Sequence, residues 1–342
     1  MSRASAARRI ATTAAYGGGS LVGVGAASAG LLFAQAAMAR RTIGIRKASA
    51  LYSDGYYGPR RPGTSLRLAV LGDSSAAGFG ANSPLETPAA LLAQGLVDAA
   101  DRPVRLINFS SIGARSNDLD EQVTRALQVH PHAAVIMIGG NDVTHFVRPQ
   151  TAVRALEQAV SRLAERGTGV IVGTCPDIGT VKPIPQPLRY LARHLSRQMA
   201  AAQTIAIVEA GGRSVSLADL LGPEFEAYPD EMFAADGFHP SSAGYAAAAQ
   251  VLLPSLLDSL GLLAPEERLP DVRVGDAVLP VAIAAVEAAD TVGTEVAAAR
   301  VRGEDRGPKG RWVQLRHRVL HPVPVAQRPA PLDADIPEEP DT

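Results

Sequence analysis

The chain has 342 residues, 46% of them apolar but only 4% aromatic, so a sizeable core would be built from small aliphatic side chains. A net charge of −1 with both signs interspersed excludes the concentrated basic face that nucleic-acid binding needs. A single cysteine, Cys175, excludes an internal disulfide framework and a cysteine-built zinc site.

Residues 1–47 read as separate from any soluble domain. Arg3, Arg8 and Arg9 precede a stretch, 10–39, with no charged residue, and Arg40, Arg41, Arg46 and Lys47 close it. The stretch exceeds the roughly 20 residues that cross a bilayer, although Gly, Ala, Ser and Thr dominate it. Ala37-Met38-Ala39 would suit cleavage of an export signal. The length favours a retained anchor, and a surface helix of low hydrophobicity is a third reading. An anchored or exported protein is therefore expected, with membrane association through this segment. Basic residues on both flanks leave its orientation open.

Residues 48–65 are rich in Gly, Pro, Tyr and Ser and read as a linker. From residue 66 short apolar runs alternate with longer amphipathic stretches. The runs 66–71, 104–109, 133–138, 170–174 and 205–208 suit strands buried on both faces. Helical stretches lie near 88–99, 118–127, 151–166, 188–202 and 242–260, with Thr151 and Ser241 or Ser242 as caps. This alternation predicts a three-layer α/β/α domain over 66–263, with a mostly parallel five-stranded sheet. Sites in such sheets form at the carboxyl ends of strands. Residues 264–342 read as an extension, partly helical over 275–301, basic over 302–318, then Pro-rich and disordered.

Four short blocks fall at expected strand ends or loops. Gly72-Asp73-Ser74-Ser75 follows the first strand, and the small residues after it allow a sharp turn that exposes a hydroxyl. Serine stays protonated at neutral pH and needs a positioned base. Asp236-Gly237-Phe238-His239 offers one: the carboxylate can hold one imidazole nitrogen while the other takes the Ser74 proton. Gly113, after the second strand, lets a backbone N–H approach a substrate oxygen. Asn141, in Gly139-Gly140-Asn141-Asp142 after the third, offers a side-chain amide, and the Ser74 N–H is a further donor. Losing one such donor costs about 2.7–4 kcal/mol of transition-state stabilisation. Asp73 and Asp142 are expected to support these loops.

The order Gly-Asp-Ser, Gly, Gly-x-Asn-Asp, Asp-x-x-His resembles the SGNH superfamily of GDSL esterases and lipases, whose four named residue types match Ser74, Gly113, Asn141 and His239. The resemblance covers about 66–263. One departure is Ser75, where the family's first motif has leucine. It implies a flavodoxin-like sheet and ester hydrolysis without metal or cofactor, on a small-molecule, lipid or acetylated-sugar ester. Acyl transfer to a sugar or lipid hydroxyl, or a membrane-tethered binding module that has lost catalysis, are the rival readings.

Other candidates carry less. His145 follows the third block and reads as structural, and His130 and His132 flank Pro131 in a surface turn. His317 and His321 have helical metal spacing but no carboxylate partner. Cys175 reads as a small buried hydrophobe, and Asp177 as a residue shaping the pocket.

Overall fold

The computed structural model describes residues 53–263, Leu51, five helical residues between 31 and 38, and two short strands, Ala299–Val301 and Glu304–Arg306. Most of the expected anchor and nearly all of the C-terminal extension, including His317 and His321, lie outside the described residues. No helix among the described residues is long and apolar enough to cross a membrane.

Six strands form one sheet: β1 (Gly55–Tyr57), β2 (Leu66–Gly72), β3 (Val104–Asn108), β4 (Ala133–Met137), β5 (Gly169–Gly173) and β6 (Arg213–Val215). Their order is β1-β3-β2-β4-β5-β6, parallel throughout except for β1, which pairs antiparallel with β3. The helices are α1 (Pro88–Ala100), α2 (Leu119–Leu127), α3 (Gly140–Thr144), α4 (Pro149–Ala164), α5 (Leu188–Glu209), α6 (Leu217–Ala227), α7 (Pro229–Met232) and α8 (Ser242–Ser259).

Side chains alternate across a strand, so each strand feeds two cores. Leu68, Val70, Val135 and Ile171 pack under α1 and α8, whereas Ala69, Leu71, Ile136 and Val172 pack under α2 and α4. Both faces are apolar because both are covered. Leu68, Leu71, Ile136, Leu92 and Leu156 are at most 1% exposed. Burying one such side chain is worth about 1.5–3 kcal/mol.

Three expectations need correction. Residues 205–208 are not a strand but lie in the last turns of α5, where Ala206 and Ile207 are buried. The fifth parallel strand is instead the three-residue β6. Residues 48–65 are not only a linker, because Gly55–Tyr57 adds a sixth strand to the sheet. Thr151 is not a cap: α4 starts at Pro149, and proline is favoured in a first turn because that N–H has no helical partner. Ser241 does cap α8, accepting from the Gly244 N–H.

Chain order reverses beside β2. The chain leaves β2 for β3 on one side, then crosses back to β4 on the other. Such a reversal opens a crevice at the carboxyl edge of the sheet, and Gly72-Asp73-Ser74 emerges there.

Candidate active site

Gly72 ends β2 at φ +131°, and a Cβ there would land on the Met137 carbonyl oxygen, so only glycine fits. Gln122, from α2, clamps this residue: the Gly72 N–H donates to Gln122 Oε1 at 2.7 Å, and Gln122 Nε2 donates back to the Gly72 carbonyl at 2.9 Å. The chain then coils into one tight turn. The Ser75 N–H donates to Asp73 Oδ1 (2.8 Å), the Ala77 N–H to the Asp73 carbonyl (3.0 Å) and the Phe79 N–H to the Ser74 carbonyl (2.9 Å). Ser74 is thereby fixed with its hydroxyl facing the crevice.

The opposite edge of the crevice comes from the loop before α8. Asp236 Oδ1 accepts the Phe238 and His239 N–H groups, each at 2.9 Å, closing a turn around Gly237. Asp236 Oδ2 lies 2.6 Å from His239 Nδ1, and His239 Nε2 lies 3.0 Å from Ser74 Oγ. Burial alone would raise the Asp236 pKa, but the bonds from the His239 side chain and the two N–H groups outweigh it and hold it below the ordinary carboxylate value. An ionised carboxylate only accepts, so Nδ1 carries the proton and Nε2 is left to accept from Ser74. The Phe79 and Phe238 rings, centred 4.4 and 5.0 Å from the imidazole, limit its rotation.

Asn141 and Asp142 open α3 after β4. Asp142 is 1% exposed and accepts from Ser116 N–H and Oγ, which pins the loop carrying Gly113. Asn141 Nδ2 spends one proton on the Ala114 carbonyl at 3.0 Å. Its amide has a second proton to offer. Neither the Ser74 nor the Gly113 N–H donates to a protein acceptor among the described residues. Gly113 has φ +82° and nothing within 4 Å of a Cβ placed on it, so its backbone conformation rather than packing asks for glycine. It is exposed and does not line the cavity, whereas Ser74, Asn141 and His239 do.

Asp73 is a buried carboxylate beside the serine. Burial pushes its pKa up to about 6, although the Ser75 bonds and the neighbouring His239 pull it down. Asp142 is also raised, first by burial. Cys175 is wholly buried, with its thiol held far above the range of a reactive thiolate by burial and then by Asp73, Asp142 and Asp177. His145 is exposed and its Nδ1 meets only a local carbonyl and hydroxyl. His130 and His132 lie at the amino edge of the sheet, away from the site. Asp177 does border the cavity; Gly179 N–H, Arg193 and Arg197 hold its carboxylate.

The cavity, about 90 Å³, has an apolar wall: Ile178, Val181, Leu217, Leu221, Phe225 and Phe233. None of these stood out in the sequence. A signal for α6 was present in Ser216-x-x-Asp219, where Ser216 Oγ accepts the Asp219 N–H and donates to its carboxylate at 2.6 Å. Among the described residues no cluster of three or more His, Cys, Asp or Glu could hold a metal ion.

The GDSL-like Lipase/Acylhydrolase family model matches residues 70–247. The GDSL-like esterase Rv1075c of Mycobacterium tuberculosis is 40% identical over 266 residues, covering 74% of this chain and 85% of that protein. Among solved structures, an alpha/beta hydrolase from the metagenome of Lake Arreo shares 21% identity at a TM-score of 0.46, over 59% of this chain and 98% of that one. A catalytic mutant of an acetylxylan esterase from Geobacillus stearothermophilus shares 19% at 0.47, over 60% and 99%. The chain belongs to the GDSL-like lipase/acylhydrolase family of the SGNH superfamily, and is an ester hydrolase.

Proposed function

We propose that the chain cleaves carboxylic esters by two-step acyl transfer through Ser74. His239 Nε2 takes the hydroxyl proton as Ser74 Oγ attacks the ester carbonyl. Asp236 holds the other ring nitrogen and stabilises the imidazolium that forms. The new oxyanion is received by the Ser74 and Gly113 N–H groups and the second Asn141 amide proton. His239 then protonates the departing alcohol. Water, activated by the same imidazole, releases the acid and restores Ser74.

The observation that carries this reading is the unbroken chain of hydrogen bonds from Asp236 through His239 to Ser74, at 2.6 and 3.0 Å. Asp73 and Asp142 have a supporting part, holding the turn and the loop that present the donors.

The cavity bounds the acyl group. Its roughly 90 Å³ is smaller than the about 150 Å³ of an apolar cavity that holds benzene. An acetyl or other short acyl chain fits against Leu221 and Phe225, and the alcohol part lies toward the open side. Turnover of p-nitrophenyl esters of increasing chain length tests both points. Turnover should be highest on the shortest chains and absent in Ser74→Ala. Equal turnover by Ser74→Ala would remove the nucleophile, and a long-chain optimum would remove the acyl assignment.

A further inference from the structure

Six large apolar side chains are strongly exposed among the described residues: Leu31, Met38, Ile112, Phe146, Tyr190 and Tyr228. Their placement is not scattered. Ile112, Phe146, Tyr190 and Tyr228 lie on the segments that follow the carboxyl ends of β3, β4, β5 and β6, the edge that carries the catalytic groups. Leu31 and Met38 belong to helical residues fastened to the same edge: Gln35 donates to the Gln186 carbonyl at 2.5 Å and accepts the Leu188 N–H at 3.1 Å, where α5 begins.

The cations on this edge make a second pattern. Arg115 stands at the entry to the turn leading into α2, Arg148 is the N-cap of α4, and Arg189 is in the first turn of α5. None of the three forms an ion pair among the described residues. The positive end of a helix dipole repels a cation, so Arg148 and Arg189 weaken the helices they start, whereas Arg115 precedes a three-residue turn and its charge acts on the Asp142 carboxylate. The contrast with the amino edge is direct. There Arg166, His130 and His132 border a cavity beside the C-terminal ends of α2 and α4, where the negative ends of the dipoles explain them.

We propose that the side of the catalytic face formed by Ile112, Phe146 and Tyr190, with Arg115, Arg148 and Arg189, docks on an anionic lipid bilayer. The apolar side chains enter the interface, where a tyrosine ring is favoured at headgroup depth, and the cations meet lipid phosphates. The same surface is continuous with the end of the charge-free stretch 10–39, which Gln35 fastens beside Tyr190. Tyr228, among Glu226, Asp230 and Glu231, forms the acidic end of the face and stays in water. Ile112 is next to Gly113, and Phe146 follows the helix that carries Asn141. Docking therefore brings the sheet edge that carries the site to the membrane, and the substrate class is an amphiphilic ester taken from that surface. This substrate assignment rests on the esterase reading above; the docking does not.

Sedimentation of the full chain with vesicles tests it, using phosphatidylcholine alone and an equal mixture of phosphatidylcholine and phosphatidylglycerol. The wild type should bind the anionic vesicles more tightly. The triple variant Arg115→Gln, Arg148→Gln, Arg189→Gln should lose roughly a hundredfold in affinity for them, about fivefold per cation. Phe146→Ser with Tyr190→Ser should weaken binding to both vesicles. Hydrolysis of lipid-free p-nitrophenyl acetate should be unchanged in all variants, which shows that they are folded. The proposal is overturned if the triple variant binds anionic vesicles as the wild type does, if the wild type does not distinguish the two lipids, or if the face joins two copies of the chain. Sedimentation needs no turnover, so its failure leaves the esterase reading intact, and inactivity on the soluble ester leaves the docking intact.

Discussion

Two walls enclose the cavity, and they are built on opposite terms. One, made by the turns after β2 and β4 and by the loop before α8, and backed by the turn after β3, is a web of directional hydrogen bonds: Gln122 on Gly72, Asp142 on Ser116, Asn141 on Ala114, Asp236 on His239. The other, made by the segment 178–181, α6 and Phe233, meets the cavity through apolar side chains packed on one another. Hydrogen bonds fix an atom to within a few tenths of an ångström, as acyl transfer requires. Apolar contact fixes volume and excludes water, and it tolerates exchange of one aliphatic group for another. A lesion in the first wall should therefore abolish chemistry, and a lesion in the second should retune selectivity.

The largest expected contrast is His239→Ala, which should lower kcat by about a millionfold while leaving KM within a few-fold, because nucleophile and base act as one unit. Combining it with Ser74→Ala should cost nothing further; steady-state turnover of p-nitrophenyl acetate reads both. Additive losses would mean that the two side chains work separately. Next, Asn141→Ala should lower kcat by about 10²–10³, the cost of one oxyanion donor. An effect confined to KM would assign Asn141 to ground-state binding alone.

Stability gives a third test of the bonded wall, through Asp73. Its folded pKa, about 6, lies above the ordinary carboxylate value. The folded state thus binds the extra proton between pH 3.8 and about 6, and stability falls as pH rises through that window. Asp73→Asn keeps an oxygen to accept the Ser75 N–H and removes the buried charge. It should be more stable than the wild type by on the order of 1–3 kcal/mol above pH 6, with the gap closing toward pH 4. Denaturant unfolding at pH 8 and pH 4 measures it, and a gap that does not change with pH would show that the charge is not the cause. Asp236 has the opposite sign: its stabilisation is present above pH 3.8 and is lost as pH falls through its depressed folded value.

The smallest effect belongs to the apolar wall. Leu221→Ala should move the preferred acyl chain toward longer esters by roughly tenfold in relative kcat/KM, the scale of one or two methylenes. An unchanged chain-length profile would place the acyl group elsewhere.

The same division explains what the sequence made legible. Strands β2 to β5 were readable because apolar runs on a sheet covered on both faces leave an unbroken signature, as at Leu68 to Leu71. Residues 205–208 carry a similar run but finish a 22-residue helix, and a short apolar run cannot by itself distinguish the two. β6 is three residues long and includes Arg213 and Ser214, too short and polar to register. β1 is hidden in a Gly- and Pro-rich stretch. The bonded wall was legible as motifs because the acyl transfer proposed above would restrict which residues can stand at 74, 141, 236 and 239. The apolar wall was not, because Leu217, Leu221 and Phe225 resemble any core positions, and Gly222-Pro223 disguises the helix that carries them. Gly113 is intermediate: its backbone bend was readable, but its exposure beyond the cavity lining was not.

The most direct measurement is covalent labelling with an activated fluorophosphonate, followed by mass mapping of the modified peptide. A serine whose proton is drawn off by a bonded imidazole should take up the reagent at Ser74 alone, and His239→Ala should stop the uptake although Ser74 remains in place. Modification at another residue, or uptake by His239→Ala at the wild-type rate, would contradict the coupling of hydroxyl and imidazole on which the mechanism depends.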